Sequence, residues 1–116
     1  MTGKEYQELA MRTSAFKTND HGTILQDELI HAVCGLASEA GECTGLVQKI
    51  YQGHELDKDH LKKELGDALW FIAEACDYLG CTMDDIMQMN IDKLKARYPQ
   101  GFEAERSLHR VEGDIW

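Results

Sequence analysis

Apolar residues recur at intervals of three and four along most of this chain, and strict alternation of apolar and polar positions is absent. Intervals of three and four place apolar side chains on one face of an α-helix, whereas alternation would indicate β-strands. The single proline, Pro99, leaves long segments uninterrupted. The pattern therefore predicts an all-α protein.

The first two helices are predicted from this periodicity and from the polar segment between them. A first helix is expected over about residues 2–16. The segment KTNDHG that follows is polar and rich in turn-forming residues, which predicts a loop. A long second helix is expected over about residues 23–51, and an interruption near Gly22 or Gly53 fits the pattern equally well.

The ends of the next two helices are marked by residues with defined capping roles. A third helix is expected over Lys58–Leu79, because Asp57 can cap its first turn and Gly80 can adopt the left-handed conformation that ends helices. A fourth helix is expected between Thr82, as its N-cap, and Pro99, which cannot continue it.

Three glycines, Gly35, Gly41 and Gly45, lie inside the predicted second helix. Each costs roughly 1 kcal/mol relative to alanine in a helix interior. We expect a close approach of another helix, or a local distortion beside Glu39 and Glu42, to offset this cost.

The length of 116 residues suits one domain, residues 1–116, with a single hydrophobic core. We expect the helical core to span about residues 3–98. Residues 99–116 contain few apolar side chains, so we expect them to form a loosely ordered arm or to pack on another subunit.

Composition and charge narrow the classes of partner. Apolar residues make up 43% of the chain and charged residues 28%, as in ordinary soluble proteins. The net charge of −9 argues against binding nucleic acid polymers or anionic membranes, which require a basic surface. No run approaches the roughly 20 apolar residues that span a membrane, and no signal peptide is visible, so we expect a cytoplasmic protein.

The cysteines do not indicate a metal site. The four cysteines, at positions 34, 43, 76 and 81, form no C-x-x-C motif, and no histidines stand at zinc-ligand spacing. Cys34, Cys43 and Cys76 lie in apolar helical surroundings, and we expect them to be small buried side chains in a reducing compartment.

Two pairs of acidic residues stand out in otherwise apolar sequence. Glu39 and Glu42 lie in GLASEAGE, and Glu64 and Asp67 lie in KKELGDALWF. Acids three residues apart share a helix face, and one such pair alone is typical of a solvated surface. Here the pairs lie on successive helices at similar distances from the connecting loop, so an antiparallel hairpin would bring them to similar heights.

Four carboxylates gathered in a packed region are costly unless positive charge compensates them. Magnesium and manganese ions prefer carboxylate oxygen ligands, and magnesium is commonly completed by substrate phosphates. The two pairs therefore predict a Mg²⁺ or Mn²⁺ site that acts on a phosphate-bearing substrate.

Other residues are candidates for substrate binding. Asn90, Lys93 and Arg97 share one face of the predicted fourth helix, where they form either a solvated polar face or a phosphate clamp. Lys49 is a further candidate on the second helix. The aromatic residues Trp70 and Phe71 could stack on a nucleobase or could equally belong to the core.

Three segments, GLASEAGE, KKELGDALWFIA and NIDKLKARYPQGF, occur in this order over most of the chain. Together they resemble the MazG-like nucleotide pyrophosphohydrolases of the all-α NTP pyrophosphatase superfamily. The resemblance implies a bundle of four to five helices that is completed by oligomerisation, as a homodimer or homotetramer.

The resemblance also implies hydrolysis of a nucleoside triphosphate, usually a deoxynucleotide, to the monophosphate and pyrophosphate. By position, Glu39, Glu42, Glu64 and Asp67 would bind Mg²⁺, with Mn²⁺ as a substitute. Asn90, Lys93 and Arg97 would contact the substrate, chiefly its phosphates. Glu42, or else Glu39, is our candidate catalytic residue that accepts the proton of the attacking water.

Two alternatives stay open. A phosphoribosyl-ATP pyrophosphatase or a dimeric dUTPase-like enzyme of the same superfamily would share the acidic pattern. A non-catalytic helical module, which is a different class of protein, could use the acidic face to bind a basic partner or metal ions. The cationic set on the fourth helix disfavours this module, which would not need it.

Overall fold

The computed structural model describes residues 1–16, 26–102 and 104–108. The described elements are α1 (Gly3–Met11), α2 (Gln26–Gln48), a 3₁₀ helix (Lys49–Gln52), α3 (Lys58–Leu79), α4 (Met83–Arg97) and α5 (Ala104–Leu108). Within these ranges there is no β-strand, and an isolated bridge joins Pro99 and Gly101. The predicted all-α class is confirmed.

The chain divides into two compact units, residues 1–83 and 84–116. In the first unit, α2 and α3 form an antiparallel hairpin and α1 packs against α3. Buried apolar side chains of this unit include Ala32, Leu46, Ala73 and Cys76. The small size of several of them lets the two long helices approach closely.

The ends of α3 are those predicted from the sequence. The side chain of Asp57 accepts a hydrogen bond of 3.0 Å from the backbone N–H of His60. Gly80 ends the helix with φ of 70°. Before α3, Gly53 ends the 3₁₀ helix with φ of 91°, a conformation that favours glycine.

The first helix is shorter than predicted, because it ends at Met11 and not near residue 16. Thr13 and Ser14 leave the α-helical pattern, and their backbone N–H groups bond to residues three positions back. The hydroxyl of Ser14 then accepts a hydrogen bond from the N–H of Phe16 at 3.1 Å. Such short polar side chains compete with the helix for backbone groups.

Two further predictions have different outcomes. The loop KTNDHG and the start of the second helix at residues 23–25 lie outside the described residues. Cys34 is exposed, so its predicted burial is wrong, whereas Cys76 is buried as expected. No helix in the described ranges is both long enough and apolar enough to cross a membrane.

Gly35 allows a close contact between α2 and α3. A Cβ atom added at Gly35 would lie 2.1 Å from Cε1 of Phe71, which is far inside van der Waals contact. At Gly41 and Gly45 an added Cβ would meet nothing within 4 Å. Close helix approach therefore accounts for Gly35 and does not account for the other two glycines within this chain.

We expect Gly35→Ala to destabilise the protein by about 1–3 kcal/mol, because the new methyl group must displace the Phe71 ring. The matched change Gly41→Ala is expected to be neutral or to stabilise by up to about 1 kcal/mol, through helix propensity alone. Urea denaturation followed by circular dichroism measures both. Equal changes in the two variants would contradict the packing role of Gly35.

Candidate metal centre

The α2–α3 hairpin brings three of the four predicted metal ligands together. One carboxylate oxygen each of Glu39, Glu64 and Asp67 lies within 4.8 Å of the other two. Glu64 is buried, Glu39 is half-buried and Asp67 is exposed. The gathered oxygens are thus anchored in the hairpin on one side and open to solvent on the other.

The electrostatics of this cluster show that its negative charge is poorly compensated by the protein. A hydrogen bond with Glu64, burial and the charge of Glu42 raise the pKa of Glu39 to about 7. One oxygen of Glu39 and one of Glu64, Oε2 in each case, is buried without a hydrogen-bond partner. Buried unpaired carboxylate oxygens are costly, and a divalent cation with oxygen ligands fits them.

Glu42 lies beside this cluster without belonging to the group of three. Its carboxyl group is hydrogen-bonded to Glu64, which is the main cause of its raised pKa. Glu64 is the acceptor in these contacts, so its pKa is lowered by Glu42, by Glu39 and then by His60. The four acids are therefore connected, but Glu42 occupies a different position from the other three.

His60 contacts the acidic cluster and was not among the site residues predicted from the sequence. Its Nε2 lies 3.0 Å from Oε1 of Glu64, one helical turn away on α3. A histidine four residues before a metal-ligating acid is a recognisable signal, because this spacing places both side chains on one face. His60 can orient Glu64 toward a bound cation.

Two clefts are lined in part by the carboxylates. The first, of about 420 Å³, is named the polar cleft because six of its eight lining residues carry polar or charged side chains; it is lined by Glu42, Gly45, Leu46, Gln48, Lys49, Gln52, His60 and Glu64. The second, of about 300 Å³, is lined by Glu39, Asp67, Trp70 and Phe71. The candidate residue Lys49 and the two candidate aromatic residues therefore line two different clefts, each of which includes two of the four acids.

The two aromatic residues serve both packing and the cleft. Their ring centroids are 5.1 Å apart in an edge-on arrangement. The indole N–H of Trp70 donates to the carbonyl of Ala10 at 3.1 Å and to Oγ1 of Thr13 at 2.9 Å. These bonds to the end of α1 fix the Trp70 ring, so Trp70 has a packing role, and stacking of the two rings on a nucleobase stays a prediction.

The cationic candidates lie on α4, in the second unit. Asn90 is exposed, Lys93 is half-buried and Arg97 is buried. The guanidinium carbon of Arg97 lies 5.5 Å from the centroid of the Tyr98 ring. Their contact with substrate phosphates stays a prediction.

Two further buried acids, Glu28 and Glu74, lie in the same hairpin and were missed by the sequence analysis. Burial raises the pKa of Glu28 to about 7, together with a hydrogen bond to Asp77 and the charges of Asp77 and Glu74. Glu74 lies seven residues after Asp67, so it shares a helix face with that acid. This heptad spacing was the available signal.

We expect the metal-free protein to lose stability as pH rises from about 4.5 through about 7. The folded-state pKa values of Glu28 and Glu39 lie near 7, above the ordinary value of 4.5, so the folded state binds more protons in this interval. Mg²⁺ should stabilise the protein more at pH 8 than at pH 5.5, because protons compete with the metal for the carboxylates.

Melting temperatures at both pH values, in EDTA and in Mg²⁺, measure this effect. Glu39→Gln should weaken both the pH dependence and the response to Mg²⁺, since it removes one raised pKa at the cluster. A metal-free protein that gains stability as pH rises through this interval would contradict the arrangement of acids.

Comparison with known proteins adds evidence independent of this geometry. Residues 27–102 match the sequence model of a family described as the MazG nucleotide pyrophosphohydrolase domain. The Gene 37 protein of Mycobacterium phage L5 is 32% identical to this chain over 78 residues, which cover 63% of this chain and 68% of that protein. No solved structure matches the chain.

Proposed function

Because the chain belongs to the MazG nucleotide pyrophosphohydrolase family, we propose that it hydrolyses (deoxy)nucleoside triphosphates to the monophosphate and pyrophosphate in a Mg²⁺-dependent reaction. The observation that carries this proposal is the group of three carboxylates, Glu39, Glu64 and Asp67, with their oxygens within 4.8 Å. Two of these residues hold a buried oxygen without a partner. Such a set suits a hard divalent cation and is open to a substrate.

The chemistry divides between the ion and the protein. Bound Mg²⁺ would neutralise negative charge on the phosphates and lower the pKa of a nearby water. Glu39, Glu64 and Asp67 hold the ion, and His60 orients Glu64. A cation held by Glu64 would favour the ionised form of Glu42, which lies outside the group of three and in the wall of the polar cleft. Ionised Glu42 then accepts the proton as the water oxygen bonds to phosphorus and the bond to the leaving pyrophosphate breaks.

The two clefts determine the orientation of the bound nucleotide. Lys49 in the polar cleft contacts the phosphate chain as a point charge. Trp70 and Phe71 line the other cleft and provide a stacking surface for the base. Asn90, Lys93 and Arg97 add phosphate contacts from α4, where their spacing places them on one face.

A scan of the eight common ribo- and deoxyribonucleoside triphosphates, with pyrophosphate and orthophosphate detected separately, tests the proposal. We expect pyrophosphate from at least one nucleotide in Mg²⁺ or Mn²⁺ and none in EDTA. Orthophosphate as the first product would contradict the proposed reaction. Absence of turnover for all eight would favour a non-catalytic acidic module.

We further propose that the protein is a homodimer or homotetramer. A second apolar stripe runs along α2 and ends in the 3₁₀ helix, and all of its members are exposed: Ile30, Val33, Ala37, Ala40, Val47 and Tyr51. Their spacing follows the alternating threes and fours that form a helix–helix seam. Sedimentation equilibrium should give a mass of two or four chains, and a monomer at micromolar concentration would contradict this proposal.

A further inference from the structure

The carboxylate of Glu74 is fully buried, and both of its oxygens are used to hold neighbouring side chains. Ser14 Oγ donates to Oε2 at 3.1 Å, and His31 Nδ1 is hydrogen-bonded to Oε1. Burying a carboxylate is costly unless it is well paired, so a buried acid of this kind fixes its partners firmly. Of these groups, His31 is the one that reaches solvent, with 49% of its side chain exposed.

The imidazole of His31 lies among three aromatic rings. Ring centroids are 5.5 Å from Phe16, 5.6 Å from Phe71 and 6.3 Å from Trp70. Trp70 and Phe71 also line the cleft that begins at Glu39 and Asp67. His31 therefore contacts both of the rings that line this cleft.

The distance from the carboxylates suits a nucleotide. His31 precedes Glu39 by eight residues on α2, which corresponds to a rise of about 12 Å along the helix. The cleft of about 300 Å³ is lined by Glu39 and by Trp70 and Phe71, the two rings that His31 contacts. A nucleotide with its phosphates at the carboxylates spans a comparable distance from the α-phosphorus to the far edge of its base.

We propose that His31 is a specificity-determining residue that contacts the edge of the nucleobase and favours bases carrying an exocyclic amino group, with Glu74 as its positioning residue. This inference rests on the proposed function, because it places a nucleotide in that site. The described residues supply a hydrogen-bond partner for Nδ1 of His31 and none for Nε2. Half of the His31 side chain is exposed, which lets a ligand reach the ring.

The preference for an amino group follows from the tautomer. A hydrogen bond to a carboxylate places the proton of a neutral imidazole on Nδ1, so Nε2 is an acceptor. The amino groups of cytosine and adenine donate to such an acceptor. The carbonyl oxygens at the same positions of uracil and hypoxanthine would face it lone pair to lone pair, which leaves both groups unsatisfied.

Equilibrium binding of α,β-methylene analogues of dCTP and dUTP, which are not hydrolysed between the α- and β-phosphates, tests this inference in Mg²⁺. The two bases differ only in the amino or carbonyl group at one ring position and in the ring nitrogen beside it. Wild-type protein should bind the cytosine analogue at least about tenfold more tightly. His31→Phe should bring the ratio close to one, and His31→Gln, whose amide oxygen can accept, should restore part of it.

Two further variants distinguish the positioning of His31 by Glu74 from a nonspecific effect of replacing a histidine. Glu74→Gln can present either an oxygen or an NH₂ group to His31, so the tautomer is no longer fixed and the ratio should fall. His54→Phe changes an exposed histidine in the loop before α3 and should leave the ratio unchanged. An unchanged ratio in His31→Phe, or equal binding of the two analogues by wild-type protein, would overturn the inference.

Hydrolysis of dCTP and dUTP, measured alongside, distinguishes this inference from the proposed function. Base-selective binding that depends on His31, without release of pyrophosphate, would contradict the proposed function and support the inference. Release of pyrophosphate at the same ratio in wild-type and His31→Phe proteins would support the function and overturn the inference. If neither analogue binds, the inference is overturned whatever the rates of dCTP and dUTP hydrolysis.

Discussion

Asp67→Asn is expected to lower the rate of pyrophosphate release by at least about 10³-fold, to the limit of detection. The change keeps the shape of the side chain but removes a negative charge and one anionic ligand from the group with Glu39 and Glu64. Asp67 is exposed, so we expect the variant to fold. Calorimetry should show weakened Mg²⁺ binding together with the loss of rate.

Asp59→Asn is the matched control, since it makes the same change in charge at an exposed position on the same helix. Its rate and its affinity for Mg²⁺ should both stay near those of the wild type. Wild-type activity in Asp67→Asn would contradict the assignment of the metal centre.

Glu42→Gln is expected to lower kcat by about 10²–10⁴-fold and to leave Mg²⁺ binding largely intact. The reason is its position, since Glu42 bonds to Glu64 but lies outside the group of three oxygens. A glutamine there can still donate a hydrogen bond to Glu64, but it cannot accept a proton from water. The two variants thus separate a ligand from a proton acceptor.

Glu55→Gln, at an exposed position in the loop before α3, is the control for this change. Metal titration and steady-state kinetics of both variants give the comparison. If Glu42→Gln loses Mg²⁺ binding as completely as Asp67→Asn, Glu42 is a ligand, as the four-carboxylate set inferred from the sequence would have it.

Local signals in the sequence predicted the parts of the fold that depend on neighbouring residues. Asp57 and Gly80 act within one turn of the helix ends that they specify, and both ends were predicted correctly. The end of α1 was not predicted correctly. Thr13 and Ser14 form a turn there, in which their backbone N–H groups bond to carbonyl groups three residues back. Helical periodicity continues through these residues in the sequence and therefore did not indicate that the helix ends at Met11.

In the candidate site, too, the sequence predicted what depends on local spacing and did not predict what depends on three-dimensional packing. The spacing of the two acidic pairs predicted that α2 and α3 would bring carboxylates together. Which three of the four share one point depends on side-chain positions, which spacing alone does not determine. The burial of Glu28 and Glu74 depends on what packs over them, and an acid on a helix face looks the same in sequence whether that face is covered or open.

The most direct test of the account is the identity of the products in a single reaction followed by ³¹P nuclear magnetic resonance. The reaction contains Mg²⁺ and a deoxynucleoside triphosphate that the protein hydrolyses. Resonances of the monophosphate and of pyrophosphate should grow in equal amounts, and EDTA should stop the growth of both. A nucleoside diphosphate with orthophosphate as the first products, or the same reaction in EDTA, would contradict a carboxylate metal centre that cleaves between the α- and β-phosphates.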